Sequence, residues 1–203
     1  MKIISFEGIE GVGKSTQINL LKEYLEFKNL SVEVLREPGS SIAGEKIREI
    51  LLDTSHDLTN ETELLLMFAS RAELVNSKII NNKSDYLLLD RFYDASVAYQ
   101  GYGRNLSIPL INSLISFIKC PEPDVSFLLD IDVEDGFARK KNDKKDRIES
   151  ASATFFNRVR EGYLSIAKEN NDRFTIIDAS MDINEIHMKI IDTLNSSLWR
   201  YLN

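Results

Sequence analysis

The sequence contains few of the residues that form disulfides and metal centres. Its 203 residues include one cysteine, Cys120, and two histidines, His56 and His187. A single cysteine excludes an internal disulfide and a thiolate metal cluster, and two histidines exclude a histidine-rich zinc site.

Long apolar runs and an excess of basic charge are also missing. No apolar run approaches the ~20 residues of a membrane-spanning helix, and Glu7 comes too early for a secretory signal. Acidic residues outnumber basic ones by 32 to 25, which gives a net charge of −7. We therefore expect a cytoplasmic protein without chain-wide affinity for nucleic acid or membrane, in which locally concentrated positive charge meets any anionic ligand.

Short apolar runs alternate with amphipathic helical patterns along the chain. Strands are predicted at 2–6, 31–35, 86–90, 125–130 and 174–178, with helical segments between them. This alternation indicates an α/β fold, a five-stranded parallel sheet with helices on both faces. No linker-like stretch divides residues 1–203, so we expect a single domain.

The turn after the first strand matches the phosphate-binding pattern G-x-x-x-x-G-K-[ST]. In such a loop, backbone N–H groups surround phosphate oxygens, the lysine reaches the β- and γ-phosphates, and the hydroxyl can bind Mg²⁺. A strand precedes the pattern and a helix follows it, as this P-loop requires. The predicted nucleotide-binding residues are Gly8, Ile9, Glu10, Gly11, Val12, Gly13, Lys14, Ser15 and Thr16.

The P-loop does not distinguish kinases from GTPases or motors. Residues 82–85, Asn-Lys-Ser-Asp, match the guanine-reading pattern N-K-x-D, but they precede the strand at 86–90 instead of following one. We interpret them as a polar loop. Asp90 and Arg91 end that strand, where ligands bind in open α/β sheets. Asp90 is therefore a candidate for holding hydrated Mg²⁺, and Arg91 for gripping a phosphate.

Several further motifs make the chain similar to thymidylate kinases of the bacterial type. They cover nearly the whole sequence, and the order and spacing of Arg-Glu-Pro-Gly and Ala-Tyr-Gln-Gly are the most specific. The matching stretches are 6–16, 36–39, 44–48, 69–71, 90–92, 96–101, 146–149 and 160–163. The resemblance implies a P-loop kinase architecture, a homodimer, and transfer of the γ-phosphoryl group of Mg-ATP to dTMP for dTTP synthesis.

The resemblance also implies roles for individual residues. Arg91 would grip the phosphate of dTMP, Glu10 would contact the 3′-hydroxyl region and help to position Mg²⁺, and Tyr99 would lie against the deoxyribose. Arg71 and Gln100 would hydrogen-bond the thymine edge, and an Arg71 donor would leave the amine of cytosine without an acceptor. Ser96, Pro38 and Arg48 would line the same pocket.

The chain departs from the family at one position of this pocket. Thymidylate kinases commonly stack a phenylalanine on thymine four residues before the arginine that Arg71 matches. Here that position is Met67, and the phenylalanine is Phe68. Because one residue turns a helix by ~100°, both side chains cannot face the base equally. Either one could cover it, and Phe68 could instead belong to the core.

A basic segment follows the fourth strand of this acidic chain. Its six cations are Arg139, Lys140, Lys141, Lys144, Lys145 and Arg147. The family places its mobile lid here, at about 139–150, and cations that arrive on closure stabilise the charge of the transferring phosphoryl group. The P-loop has no arginine, and the bacterial enzymes of this family that lack one take the catalytic arginine from the lid. The resemblance therefore makes Arg147 the first candidate and Arg139 the second.

Two other functions remain open at this point. A thymidine kinase would need a base near the 5′-hydroxyl, for which Glu37 is the candidate. A nucleotide-gated switch would bind ATP without transferring phosphate.

Overall fold

The computed structural model describes residues 1–140 and 145–197. Residues 141–144, with Lys141 and Lys144 of the basic segment, and residues 198–203 lie outside the described residues. The strands are β1 Lys2–Glu7, β2 Val32–Arg36, β3 Tyr86–Asp90, β4 Val125–Asp130 and β5 Phe174–Asp178. The helices are α1 Lys14–Phe27, α2 Ile42–Leu52, α3 Asn60–Leu74, α4 Tyr93–Ser96, α5 Ile108–Ile118, α6 Val133–Arg139, α7 Ala153–Glu169 and α8 Ile183–Ser197. Helices α3 and α4 continue directly as π-helical turns at Val75–Ile79 and Val97–Gly103.

The five strands form one parallel sheet in the order β2-β3-β1-β4-β5. The predicted fold class is confirmed, and every strand lies within one residue of its predicted bounds. Alternate strand residues cover the two faces. Ile4 packs in a cluster with Ile18 of α1, whereas Ile3 packs with Leu74 of α3.

The strand order places the functional edge of the sheet. The chain runs from β1 to β2 and back to β3 on one side of β1, and then crosses to β4 on its other side. The carboxyl end of β1 therefore lies at a topological switch point, where open α/β sheets bind ligands. Residues 82–85 lie at the opposite end of β3. There the carboxylate of Asp85 accepts hydrogen bonds from Ser31, and the backbone carbonyl of Asp85 accepts one from the amide of Lys2.

Within the described part of the chain, the helices are all too short or too polar to cross a bilayer.

Candidate functional site

A cavity of about 590 Å³ opens at the carboxyl edge of β1 and β3. It is lined by residues of the P-loop, the β2–α2 loop, α2, α3, the end of β3, and the end of α4 with its π-helical turn. Arg139, Lys140, Asp146, Ile148 and Glu149 complete the lining. The predicted site residues that line it are Glu10, Gly11, Gly13, Lys14, Ser15, Thr16, Pro38, Arg48, Met67, Arg71, Asp90, Arg91, Ser96, Tyr99, Gln100 and Arg139. Those that do not line it are Gly8, Ile9, Val12, Phe68 and Arg147.

The P-loop leaves the first N–H groups of α1 available to a ligand. Helices α2, α3 and α7 begin at Ser41, Thr59 and Ser152, whose hydroxyls accept backbone hydrogen bonds from the first turn. Helix α1 instead begins at Gly13, whose φ of 92° suits glycine and which has no side chain to cap the helix. These amides and the positive end of the helix are therefore free to bind phosphate oxygens.

Lys14 crosses the P-loop and donates to the carbonyls of Gly8 and Ile9 at 3.1 and 2.8 Å. Burial and the nearby charge of Arg91 lower the pKa of Lys14 to about 8. A bound polyphosphate would favour the charged form of this amine.

A backbone contact joins the P-loop to α6. A Cβ added at Gly11 would lie 1.9 Å from the carbonyl oxygen of Gly136, and one added at Gly136 would lie 2.7 Å from the carbonyl oxygen of Glu10. Two glycines are therefore needed for this close approach. The contact fixes the start of the segment that carries Arg139 relative to the P-loop.

Ser15 and Asp90, the two predicted magnesium ligands, lie next to each other. The Ser15 hydroxyl lies 3.2 Å from Oδ2 of Asp90, at the end of the cavity nearest α1. Both groups offer oxygen atoms, which Mg²⁺ prefers. No cluster of three His, Cys, Asp or Glu side chains suited to a metal occurs among the described residues. This donor set fits an ion held by few protein oxygens together with nucleotide phosphates.

Arg91 lies between the P-loop and the rest of the cavity. Its backbone φ is 69°, and its N–H donates to Phe6, which turns the side chain from the strand end toward the loop. Its guanidinium donates to the Gly8 carbonyl at 2.9 Å and to Glu10 at 2.8 Å, and lies 4.8 Å from the centre of the Tyr99 ring. Burial lowers its pKa, but Tyr99 and Glu10 outweigh this effect and raise the pKa well above its ordinary value.

Glu10 is held from two sides. The Tyr99 hydroxyl donates to both of its carboxylate oxygens at 2.8 and 2.9 Å, and Arg91 donates to Oε1. The resulting Arg91–Glu10–Tyr99 group brings together three residues that the sequence predicted for the acceptor nucleotide.

Arg71 is almost fully buried, with 2% of its surface exposed. Its Nε and Nη2 donate to Glu37, at distances down to 2.5 Å, and Nη2 also donates to the Phe92 carbonyl. Nη1 donates one N–H to Ser96 at 2.9 Å. The second N–H of Nη1 forms no hydrogen bond within residues 1–140 and 145–197, and Arg71 lines the cavity, so this donor is available to a ligand. Burial raises the pKa of Glu37 even though Arg71 opposes the shift.

Met67 and Phe68 occupy different environments. Met67 is half-buried and lines the cavity, whereas Phe68 is 3% exposed and belongs to the core. The Phe68 ring lies 4.7 Å from the Arg71 guanidinium carbon and supports it from the core side. Of the two side chains, Met67 is therefore the one placed to cover a base.

Gln100 and Arg147 meet at a residue that the sequence interpretation missed. The buried carboxylate of Glu63 accepts hydrogen bonds from Gln100, Arg104 and Arg147. Arg147 also donates to the Leu51 carbonyl at 2.8 Å, outside the cavity. Glu63, Met67 and Arg71 are spaced at i, i+4 and i+8, so helical periodicity could have identified Glu63 as facing the site.

The basic segment reaches the cavity through other residues. Arg139 and Lys140 line it together with Asp146 and Glu149, and Lys140 is hydrogen-bonded to Glu149. Arg48, which also lines the cavity, donates to the Pro38 carbonyl at 2.9 Å.

A buried carboxylate, Glu7, connects the strand end to these groups. It accepts from the Phe92 amide at 2.9 Å and from the Tyr163 hydroxyl at 3.0 Å, and Tyr163 in turn accepts from Arg91 at 3.2 Å. Burial, and to a smaller extent Asp94, raise the pKa of Glu7 to about 8. Nothing in the P-loop pattern itself identifies this residue.

The comparisons with known proteins agree on one family. The model of the thymidylate kinase family matches residues 6–190. The chain is 45% identical over 208 aligned positions to the thymidylate kinase of Chlorobaculum tepidum, covering 96% of this chain and 97% of that protein. It is 46% identical to the thymidylate kinase of Kosmotoga olearia, covering 93% and 92% of the two chains. The crystal structure of thymidylate kinase from Ehrlichia chaffeensis matches with a TM-score of 0.79 at 33% identity, covering 96% and 98%.

Substitutions of Met67 and Phe68 should affect different properties. Met67→Ala should raise the KM for the acceptor nucleotide, because Met67 lines the cavity, and should lower the free energy of unfolding by less than Phe68→Ala, because Met67 is only partly buried against the core. Phe68→Ala should lower the free energy of unfolding by about 3–5 kcal/mol, because it leaves a core cavity. Steady-state kinetics measures the KM of each variant, and urea unfolding measures its free energy of unfolding. An unchanged KM for both variants would show that neither side chain covers the base.

Glu7 should give stability a defined pH dependence. Because its pKa is about 8 in the folded protein against 4.5 ordinarily, the folded state binds a proton over this range that the unfolded chain has lost. Its contribution to the free energy of unfolding is therefore present at low pH and is lost as pH rises from about 4.5 to 8, by up to about 1.4 kcal/mol per pH unit.

Glu7→Gln should remove this slope, since an amide can still accept from Phe92 and donate to Tyr163. Urea unfolding at half-unit steps from pH 5 to 8 measures the difference from the unsubstituted protein. Glu23→Gln, at an exposed position of α1, is the matched control. Parallel pH profiles for the Glu7→Gln variant and the unsubstituted protein would contradict the assignment.

Proposed function

The chain belongs to the thymidylate kinase family and is a dTMP kinase, and we propose that the residues of its cavity transfer the γ-phosphoryl group of Mg-bound ATP to dTMP, giving ADP and dTDP. One observation carries the residue assignment. A single cavity is lined by the P-loop, by Arg91, which is bonded to Gly8 and Glu10 of that loop, and by the buried side chains of Arg71 and Gln100. Donor phosphates, acceptor phosphate and acceptor base thus each have a matching group.

The donor half is the P-loop with its neighbours. We propose that the backbone amides of residues 8–16 and the Lys14 amine bind the ATP phosphates. Ser15 and Asp90 would hold Mg²⁺, which neutralises phosphate charge and orients the β- and γ-phosphates when it is bound.

The acceptor half is built on Arg91. Its guanidinium would bind the dTMP phosphate, one of whose ionised oxygens attacks the γ-phosphorus while the bond from that phosphorus to the β–γ bridging oxygen breaks. The attacking oxygen of the dTMP phosphate carries no proton at neutral pH, so no general base is needed. The side chains of Glu10 and Tyr99 would contact the deoxyribose, Met67 would cover the base, and Pro38, Arg48 and Ser96 would complete the pocket.

Residues 139–150 are proposed to act as the lid of this single domain. Arg139 lines the cavity, which supports a role for it on the phosphates. Arg147 was the first candidate from the sequence, and it is bound to Glu63 and Leu51. We therefore propose that Arg139 supplies the positive charge and that Arg147 anchors the lid on the acceptor side.

We also propose that the protein acts in the cytoplasm, where ATP and deoxynucleotides are found, and that it is a homodimer. The exposed apolar side chains of Leu65 and Phe117 support a contact with a second copy.

The two alternative functions have less support. A thymidine kinase would need a free carboxylate as the base, but both oxygens of Glu37 accept hydrogen bonds from Arg71. A switch that binds ATP without transferring phosphate needs no second half of the cavity that binds a nucleotide base.

Coupled ADP release tests the function with dTMP, dUMP, dCMP, AMP and thymidine as acceptors. Turnover should be strong with dTMP, weaker with dUMP, and near background with the others. Lys14→Met should abolish ADP release and controls for contaminating kinases. Faster turnover with thymidine would identify a deoxynucleoside kinase, and ATP binding without any ADP release would identify a switch.

The two lid arginines should differ in their kinetic effects. Arg139→Ala should lower kcat by about 100-fold, because it removes a cation from the transferring group. Arg147→Ala should mainly raise the KM for dTMP. Lys145→Ala, at an exposed position of the same segment, should change neither constant more than about twofold, the scatter expected of exposed charges. The opposite order of effects would make Arg147 the catalytic arginine.

A further inference from the structure

Glu63 lies in the first turn of α3, and its carboxylate is 1% exposed. Its Oε1 accepts from the Gln100 amide nitrogen at 3.0 Å. Its Oε2 accepts from Arg104 at 3.0 Å and from Arg147 at 2.7 Å. Three side chains, from the π-helical turn that follows α4, from the residue after it and from the basic segment, thus converge on one carboxylate.

These contacts keep Glu63 ionised. Burial by itself raises the pKa of Glu63, but the hydrogen bonds from Arg104, Gln100 and Arg147 outweigh it, and the pKa lies below its ordinary value. An ionised carboxylate has acceptor oxygens and no donor.

The charge of Glu63 determines which way the Gln100 amide faces. Only the NH₂ group of that amide can bond to an acceptor, so the NH₂ group turns toward Glu63. The carbonyl Oε1 is at the other corner of the same planar group, and no hydrogen bond to it is formed within residues 1–140 and 145–197. Because Gln100 lines the cavity, this carbonyl is the acceptor that it offers to a ligand.

Gln100 and Arg71 together match one edge of a pyrimidine. Arg71 offers a donor, the second N–H of Nη1, and Gln100 offers an acceptor. Thymine and uracil present a carbonyl O4 and an N3–H, which pair with this donor and acceptor. Cytosine presents an amine at position 4 and an unprotonated N3, so both positions would place like groups against each other and leave buried polar atoms unpaired.

We propose that Glu63 is a specificity-determining positioning residue, which holds the Gln100 carbonyl toward the cavity and so makes the enzyme select pyrimidine monophosphates with an N3–H over those with a 4-amino group. Glu63 touches no substrate and acts through Gln100. The proposal rests on the proposed function, because it assumes that Arg71 and Gln100 meet the base of dTMP.

The Glu63→Gln variant tests this role. A neutral amide at position 63 can donate as well as accept, so the Gln100 amide can adopt either orientation, including the one that pairs with N3 of cytosine. The ratio of kcat/KM for dTMP to kcat/KM for dCMP should fall at least tenfold, and the KM for ATP should stay within about twofold of the unsubstituted value. Glu61→Gln, at an exposed position of the same helix, should leave the ratio unchanged.

A purely structural role would lower activity without changing this ratio. A folded Glu63→Gln variant with an unchanged ratio therefore overturns the proposal, whatever its kcat. Failure of the unsubstituted enzyme to phosphorylate dTMP refutes the proposed function instead.

If Glu63→Gln shows no cooperative thermal unfolding, Glu63→Asp takes its place. Aspartate keeps the charge that Arg104 and Arg147 need but withdraws the carboxylate from Gln100 by one methylene group. The same fall in the ratio is expected, and an unchanged ratio overturns the proposal.

Discussion

Three guanidinium groups in or beside the cavity are each held by a glutamate. The pairs are Arg71–Glu37, Arg91–Glu10 and Arg147–Glu63. A guanidinium buried without a partner would be strongly destabilising, and a carboxylate in a fixed position stabilises it while setting its direction. Since arginine carries five N–H groups, pairing with one carboxylate leaves others for a ligand. A protein with a net charge of −7 can thereby offer fixed positive charge to two anionic reactants.

Local patterns were enough to predict the sheet and the P-loop. The apolar runs of β1, β3 and β4 are buried on both faces of the sheet, and the P-loop pattern stands between a strand and a helix. These features depend only on residues that are close together in the sequence, so one amino-acid sequence is enough to recognise them. The strand order was not predicted, and it is this order that brings the ends of β1 and β3 together.

The partners of the charged groups could not be predicted in the same way. Glu63 meets Arg147 across 84 positions of the chain, and Glu7 meets Tyr163 across 156. No spacing rule relates residues so far apart, because their meeting depends on how α3, α7 and the sheet pack. The orientation of Arg147 could not be predicted for the same reason. Its motif marked it as important, but only the packing shows that its guanidinium points to Glu63 and Leu51 instead of the cavity.

The proposed lid and the proposed pocket for the base are connected through one of these glutamates. Gln100 and Arg147 share the carboxylate of Glu63, so a change at either partner alters the electrostatic environment of the other. On the donor side, the contact between Gly11 and Gly136 joins the P-loop to the helix that ends at Arg139. Arg139 is thus joined through α6 to the P-loop, and Arg147 is joined through Glu63 to Gln100. In the proposed reaction, Arg139 would act on the phosphates while the position of Arg147 would depend on the pocket for the base.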